Sequence, residues 1–345
     1  MKQQALVIRR VLFSCLIRTH SNRAEPKGRS RLDTLLNAGS TMIMLFITIA
    51  LGYFARKIHL MDDHFDTAMS KLIMSITCPA MILNSVLSNS QLPSDEIILQ
   101  VLGVSIITYL PIFILAFVTP IIFRAPVSTR GAHSFTIAFG NTGFIGFAVC
   151  GAILGSNSVL YASIYNIPFN LFIFSVGAFF MSRTGSVRLT RREQLEYLKK
   201  NLISPTMITC IVALVLALLH VTDSGIIGNT CSLIGAMTPP ASMLVIGSTL
   251  AKYQLGAMLK NKWAYISALG RLLMAPVIVY LLGGFMISDA YLLATITLVS
   301  AMPAAALGTV MCLTYGGDLT TTSQCMFLTT ILSVVTIPLV TMCVI

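Results

Sequence analysis

Few side chains in this 345-residue chain can do chemistry, and most of those sit inside long apolar runs. One cluster is Asn141, Thr142 and Gly143 within FGNTGFIGF (Phe139 to Phe147), where glycines and an amide interrupt a stretch otherwise apolar enough to cross a bilayer. In lipid such a break persists only where protein or water supplies partners for the freed backbone groups. It exposes half-helix ends, of which the positive N-terminal end suits a carboxylate and the C-terminal end suits a cation. Asn141 adds an amide that can donate or accept. Either these residues line a site, or the glycines serve close helix packing; the site is the expectation.

Other polar groups in apolar surroundings extend the candidate list. Tyr165, Asn166 and Asn170 lie on one predicted helix, with the two amides one turn apart. Buried amides are costly in lipid, so these face a ligand cavity or glue helices together. Thr329, Thr330 and Ser333 either complete such a cavity or bond back to their own helix. Asp318, in GGDLTTT, is a candidate for ion coupling, although its position before a run of threonines reads first as a helix N-cap. Arg271 lies about two turns past Trp263 and is the deepest basic residue. It either draws an anion into a vestibule or snorkels to the headgroups, and snorkelling is the expectation.

Several chemistries are absent from the pattern. The eight cysteines include no CxxC pair, and His59 and His64 are five apart, which is not the spacing of one helix face. No metal site is expected. No Walker loop, nucleophile elbow or HExxH motif is present, which disfavours an enzyme or an ATP-driven pump. No cofactor is expected, and the coupling ion, H+ or Na+, stays open.

The elements that must position these residues follow from composition. The chain is 56% hydrophobic and 10% charged, with a mean hydropathy of +0.85, far from a soluble domain. Ten apolar segments follow a basic extension of residues 1–31: roughly 35–54, 69–87, 97–123, 134–154, 159–180, 202–221, 226–250, 264–286, 290–315 and 320–345. Lys and Arg fall in or beside the odd-numbered links, and the even-numbered links have none. By the positive-inside rule the odd links, including the longest at 182–201, are cytoplasmic and both ends of the ten-helix body face outward. The short links point to a plasma (inner) membrane protein, and the net charge of +11 is accounted for by topology rather than by a nucleic-acid partner. The eight basic residues of the extension run against this topology, so 1–31 is expected to be a flexible addition or a start assigned too far upstream.

The chain also resembles itself at an offset of 161. Leu72, Ile73, Thr77, Pro79, Ala80 and Leu83 align with Leu233, Ile234, Thr238, Pro240, Ala241 and Leu244, and Asn141 to Gly143 fall opposite Met302, Pro303 and Ala304. Five helices is an odd number, so the second copy (202–345) enters the membrane inverted relative to the first (32–181). Inverted repeats with matched Gly/Pro-interrupted segments point to a secondary transporter with a midplane site.

Seven stretches in order, LGYFARK (51–57), CPAMIL (78–83), GNTGFIGF (140–147), TPPASMLVIGSTLA (238–251), RLLMAP (271–276), AMPAA (301–305) and TTILSVVTIPL (329–339), resemble the auxin efflux carrier family, including its bacterial organic-acid and malate permeases. The resemblance implies an all-α integral membrane fold of ten transmembrane helices in two inverted five-helix repeats, with broken helices four and nine crossing. It implies a scaffold of helices one, two, six and seven, through which homodimers form, and a moving bundle of the other six. Many members carry proline in the fourth-helix break, where this chain has Ala148. The function it implies is alternating-access transport of a small organic anion, a mono- or dicarboxylate, with Asn141, Thr142, Gly143, Tyr165, Asn166, Asn170, Pro303, Thr330 and Ser333 as candidate contacts. The alternatives are a sodium-coupled carrier of bile-acid-transporter-like fold and a membrane ligand sensor that does not transport.

Overall fold

A computed structural model of the chain describes residues 31–88, 92–187, 190–222, 225–252 and 255–344. The basic extension therefore lies outside the described residues, apart from Arg31 at the start of the first helix. Residues Asn37–Ile345 form one compact unit.

The described residues form helices and no strands. In order these are α1 (Arg31–Lys57), α2 (Asp63–Leu87), α3 (Asp95–Ile122), α4 (Arg130–Ala138), α5 (Thr142–Leu154), α6 (Ser156–Thr184), α7 (Arg191–Leu202), α8 (Pro205–Leu218), α9 (Ile226–Ala251), α10 (Lys262–Met286), α11 (Ala290–Ser300), α12 (Leu307–Tyr315) and α13 (Leu319–Val344). Six of them, α2, α3, α6, α9, α10 and α13, are each long and apolar enough to cross a membrane. Their outer faces carry exposed large apolar side chains such as Leu99, Ile114, Val277 and Val335. A helix apolar on all sides is stable only against protein on one face and lipid on the other.

Two apolar segments are broken: the fourth is α4 and α5, and the ninth is α11 and α12. The long link expected at 182–201 contains α7, which is polar. Thr190 and Glu193 form a reciprocal cap there, Thr190 N–H and Oγ1 both donating to the Glu193 carboxylate (2.7 and 2.8 Å). The Thr190 backbone donor, helped by the hydroxyl, holds that carboxyl below its ordinary range.

Among the described residues, prolines follow two of the three π turns. Pro79 has no N–H for the carbonyl four residues back, and the ladder of α2 runs through one π turn just before it, Ile73–Thr77. The Met74 carbonyl, five residues before Pro79 and within the π turn, accepts from Thr206 Oγ1 on α8 (2.9 Å). Pro276 has the same effect in α10, where the π turn spans Gly270–Met274. Close helix approach is set by small residues: a Cβ on Gly247 would sit 1.9 Å from the Ile49 carbonyl oxygen, so α1 and α9 touch backbone to backbone. At their polar ends Arg56 (α1), Asp63 and Asp66 (α2) and Lys252 (after α9) form four ion pairs of 2.6 to 3.1 Å. These four side chains form a charged knot tying three helices.

Candidate functional site: the crossing of two broken helices

The two breaks meet. α4 ends at Phe139, whose backbone is extended (φ −117, ψ 115), and Gly140 pairs antiparallel with Ala304. Asn141 N–H donates to the Pro303 carbonyl (2.7 Å) and Ala305 N–H to the Phe139 carbonyl (3.0 Å). This short antiparallel pairing satisfies backbone groups that a break in lipid would otherwise strand. A third donor, Ala304 N–H, is taken by Thr329 Oγ1 on α13 (3.2 Å). Phe139 is packed among Tyr109, Phe113, Phe135 and Phe169, with ring centroids 5.2 to 6.5 Å apart, which fixes the entry into the break.

Below the pairing lies Arg271, 1% exposed and the largest fully buried side chain. Its Nε donates to the Met302 carbonyl (3.0 Å), and its Nη1 donates to the carbonyls of Ile137 (3.3 Å) and Ala138 (3.0 Å). Its Nη2 donates to the Ser300 carbonyl. One guanidinium therefore caps the C-terminal ends of both α4 and α11, the negative ends of two helix dipoles. The expectation that Arg271 snorkels to the headgroups is corrected: the π turn and the two carbonyl clusters hold it inside. Gly140 is required here, because a Cβ would lie 2.8 Å from Arg271 Nη2 and 3.0 Å from the Met302 oxygen.

The N-terminal ends of α5 and α12 start just after the pairing, at Thr142 and Leu307. Asn141 Oδ1 accepts from Phe144 N–H (3.3 Å), so its amide caps α5. Beside α5 is a small cavity of about 30 Å³, walled by α1, α5, α9 and α13. Its lining is apolar, for example Phe46, Ile145, Val149 and Met243, except for Thr330 and Ser333.

Residues 39–341 match the model of the family described as membrane transport protein. The chain belongs to that family. It is the family of the auxin efflux carriers, and the protein is a multi-pass membrane transporter. An uncharacterized transporter from Methanothermobacter thermautotrophicus is 22% identical over 313 residues, covering 88% of this chain and 97% of its own.

In this member of the membrane transport protein family the candidate residues divide into groups. Asn141, Thr142, Gly143 and Pro303 come together at the crossing. Thr142 Oγ1 donates to Asn166 Oδ1 (2.7 Å), anchoring the break to α6. Asn170 Nδ2 donates to the Asn166 carbonyl one turn back (2.8 Å). Tyr165 points to α3, its hydroxyl 3.3 Å from Thr108 Oγ1. Thr330 and Ser333 donate to carbonyls of their own helix (2.7 Å each) while lining the cavity. Asp318 caps α13 through Thr321 N–H (3.1 Å) and Thr321 Oγ1 (2.9 Å). It stands eleven residues before Thr329, about 16 Å along a helix at 1.5 Å per residue, and is no part of the crossing. Ala148 is buried within α5; the break lies earlier, at Phe139 to Asn141, followed by a π turn over Thr142–Gly146.

Sequence reasoning missed two contributors. Cys78 Sγ lies 3.7 Å from the Gly143 carbonyl oxygen. Thr238 Oγ1 donates to Thr77 Oγ1 (3.0 Å), both buried. These two threonines are partners at the offset of 161, so the signal for them was the repeat itself.

Proposed function

We propose that the protein is a secondary-active carrier of a small organic anion, working by alternating access between a scaffold of α1, α2, α8 and α9 and a bundle of the remaining spans. The observation that carries the reading is the charge balance at the crossing. The C-terminal ends of α4 and α11 are taken up by the fixed Arg271 guanidinium, while the ends of α5 and α12 that start beside the crossing are positive. Among the described residues the hydrogen-bond partners of the guanidinium are backbone carbonyls, not carboxylates. The site thus favours an anion.

The apolar cavity wall supports a monocarboxylate with an apolar body over a dicarboxylate. Its charged end would meet Asn141 and the start of α5, beyond the cavity, whose polar lining is Thr330 and Ser333. A second carboxylate would be left against aliphatic side chains, at several kcal/mol or more.

Ten crossings in two inverted repeats fit this reading. Thr77 bonds its own repeat mate Thr238, and residues meet their mates across a two-fold axis only close to that axis. The odd links then lie in the cytoplasm, both ends of the body lie outside, and the scaffold is the surface through which a homodimer forms. The test is a thermal-shift screen of the purified protein against small carboxylates, since a ligand that binds the native state raises its apparent stability. A stabilising monocarboxylate should bind the Asn141→Ala variant about tenfold more weakly, ~1.4 kcal/mol. Unchanged flux of that compound by the variant in proteoliposomes, or no response to any carboxylate, would sink the proposal.

A further inference from the structure

In transporters built on broken helices, unwound carbonyls and half-helix C-terminal ends are where a coupling cation is held. Here that place is filled from within the chain. Four carbonyls from the ends of two half-helices converge on one guanidinium, and they come from Ile137, Ala138, Ser300 and Met302. We infer that Arg271 is a tethered cation that takes the position of an exchangeable coupling ion, so that the crossing is held together without sodium.

Three features of the surroundings support this assignment. Gly140 leaves room that any side chain would deny to the guanidinium. The π turn over Gly270–Met274 sets the Arg271 side chain inward although its helix is long enough to span. A planar fork of five donors matches carbonyls arriving from two directions, which a spherical ammonium does not. Arg271 is on this account a positioning residue: it fixes both breaks and leaves the N-terminal half-helix ends to the substrate. The inference rests on the crossing being the transport site proposed above, but its test needs no substrate.

The full chain, purified in detergent, is melted in sodium, potassium or choline chloride at constant ionic strength. The wild-type midpoint should be the same in all three. Arg271→Ala should melt several degrees lower, and millimolar methylguanidinium should raise its midpoint while leaving the wild type unchanged. Arg271→Lys should fall between the two and respond less to methylguanidinium. A saturable rise of the wild-type midpoint with sodium over potassium and choline overturns the inference, because an exchangeable site is then present. An Arg271→Ala chain that matches the wild type, or ignores methylguanidinium, overturns it as well. If the alanine variant does not fold, the wild-type ion comparison and the lysine variant decide: a lysine variant as stable as the wild type counts against the inference. Failure of every carboxylate to bind would remove the anion-carrier reading and leave these ion responses as they are.

Discussion

Two regions of the molecule hold positive charge against their helices, one partly exposed and one buried, and they hold it in opposite ways. At the polar ends of α1, α2 and α9, Arg56 and Lys252 share Asp63 and Asp66, two cations against two carboxylates, with Ser248 Oγ also donating to Asp66 (2.9 Å). At the crossing, Arg271 has only carbonyls. The first arrangement cancels its own field with carboxylates and ties three helices; the second sets one guanidinium against two negative helix ends and leaves the positive ends of α5 and α12 unmatched. A buried ion pair is weak evidence for anything beyond local structure. A buried cation without a carboxylate is expensive to keep, and a transporter that keeps one at the meeting point of its two breaks uses it there.

This contrast can be broken most forcefully at Gly140. In Gly140→Ala the new Cβ would lie 2.8 Å from Arg271 Nη2 and 3.0 Å from the Met302 oxygen. Neither neighbour can yield cheaply, since the guanidinium is held by four carbonyls. A loss of about 3 kcal/mol is expected, the upper part of the range for overpacking, measured as a lowered unfolding midpoint in detergent. A variant with wild-type stability would mean that the guanidinium has freedom to move, and the crossing would then be no more rigid than the knot.

The knot itself should respond less, and unevenly. Asp66 is buried and accepts from Arg56, Lys252 and Ser248, whereas Asp63 is mostly exposed. Asp66→Asn is expected to cost about 2 kcal/mol, the scale of hydrogen bonds to a charged group. Asp63→Asn should have a small effect that shrinks further with added salt, as exposed pairs do. Unfolding of the two variants at low and high salt checks this. Equal losses would remove the distinction between the buried and the exposed half of the network.

Much of the organisation was legible because it is written in composition. The alternation of apolar segments with basic links marks the helices, and FGNTGFIGF and AMPAA mark the two breaks that pair at Gly140 and Ala304. Arg271 was misread for a physical reason. Its depth was visible, but its partners are backbone carbonyls at Ile137, Ala138, Ser300 and Met302, and carbonyls leave no trace in residue types. The Asn166 anchor was half legible: two amides one turn apart had to face something, but the choice of Thr142 belongs to packing. The cavity lining was hidden similarly, since Phe46, Ile145, Val149 and Met243 look like any other apolar residues of membrane helices.

The repeat offers the finest probe of the comparison, at a place with no charge at all. Thr77 and Thr238 are mates at the offset of 161, both buried, and Thr238 Oγ1 donates to Thr77 Oγ1 at 3.0 Å. Valine keeps the shape of threonine and removes the hydroxyl. Either Thr77→Val or Thr238→Val leaves one buried hydroxyl without this partner and should cost about 1 kcal/mol, while the double variant should lie close to wild type, because removing both members of a hydrogen-bonded pair removes the unmet group as well. A double-mutant cycle on unfolding midpoints measures the coupling. A strongly coupled pair places the axis of the repeat at these two threonines, so that both breaks are held from one neutral point in the scaffold and one charged point at Arg271. Additive losses would mean that each threonine serves its own helix, and the symmetry would then rest on the crossing alone.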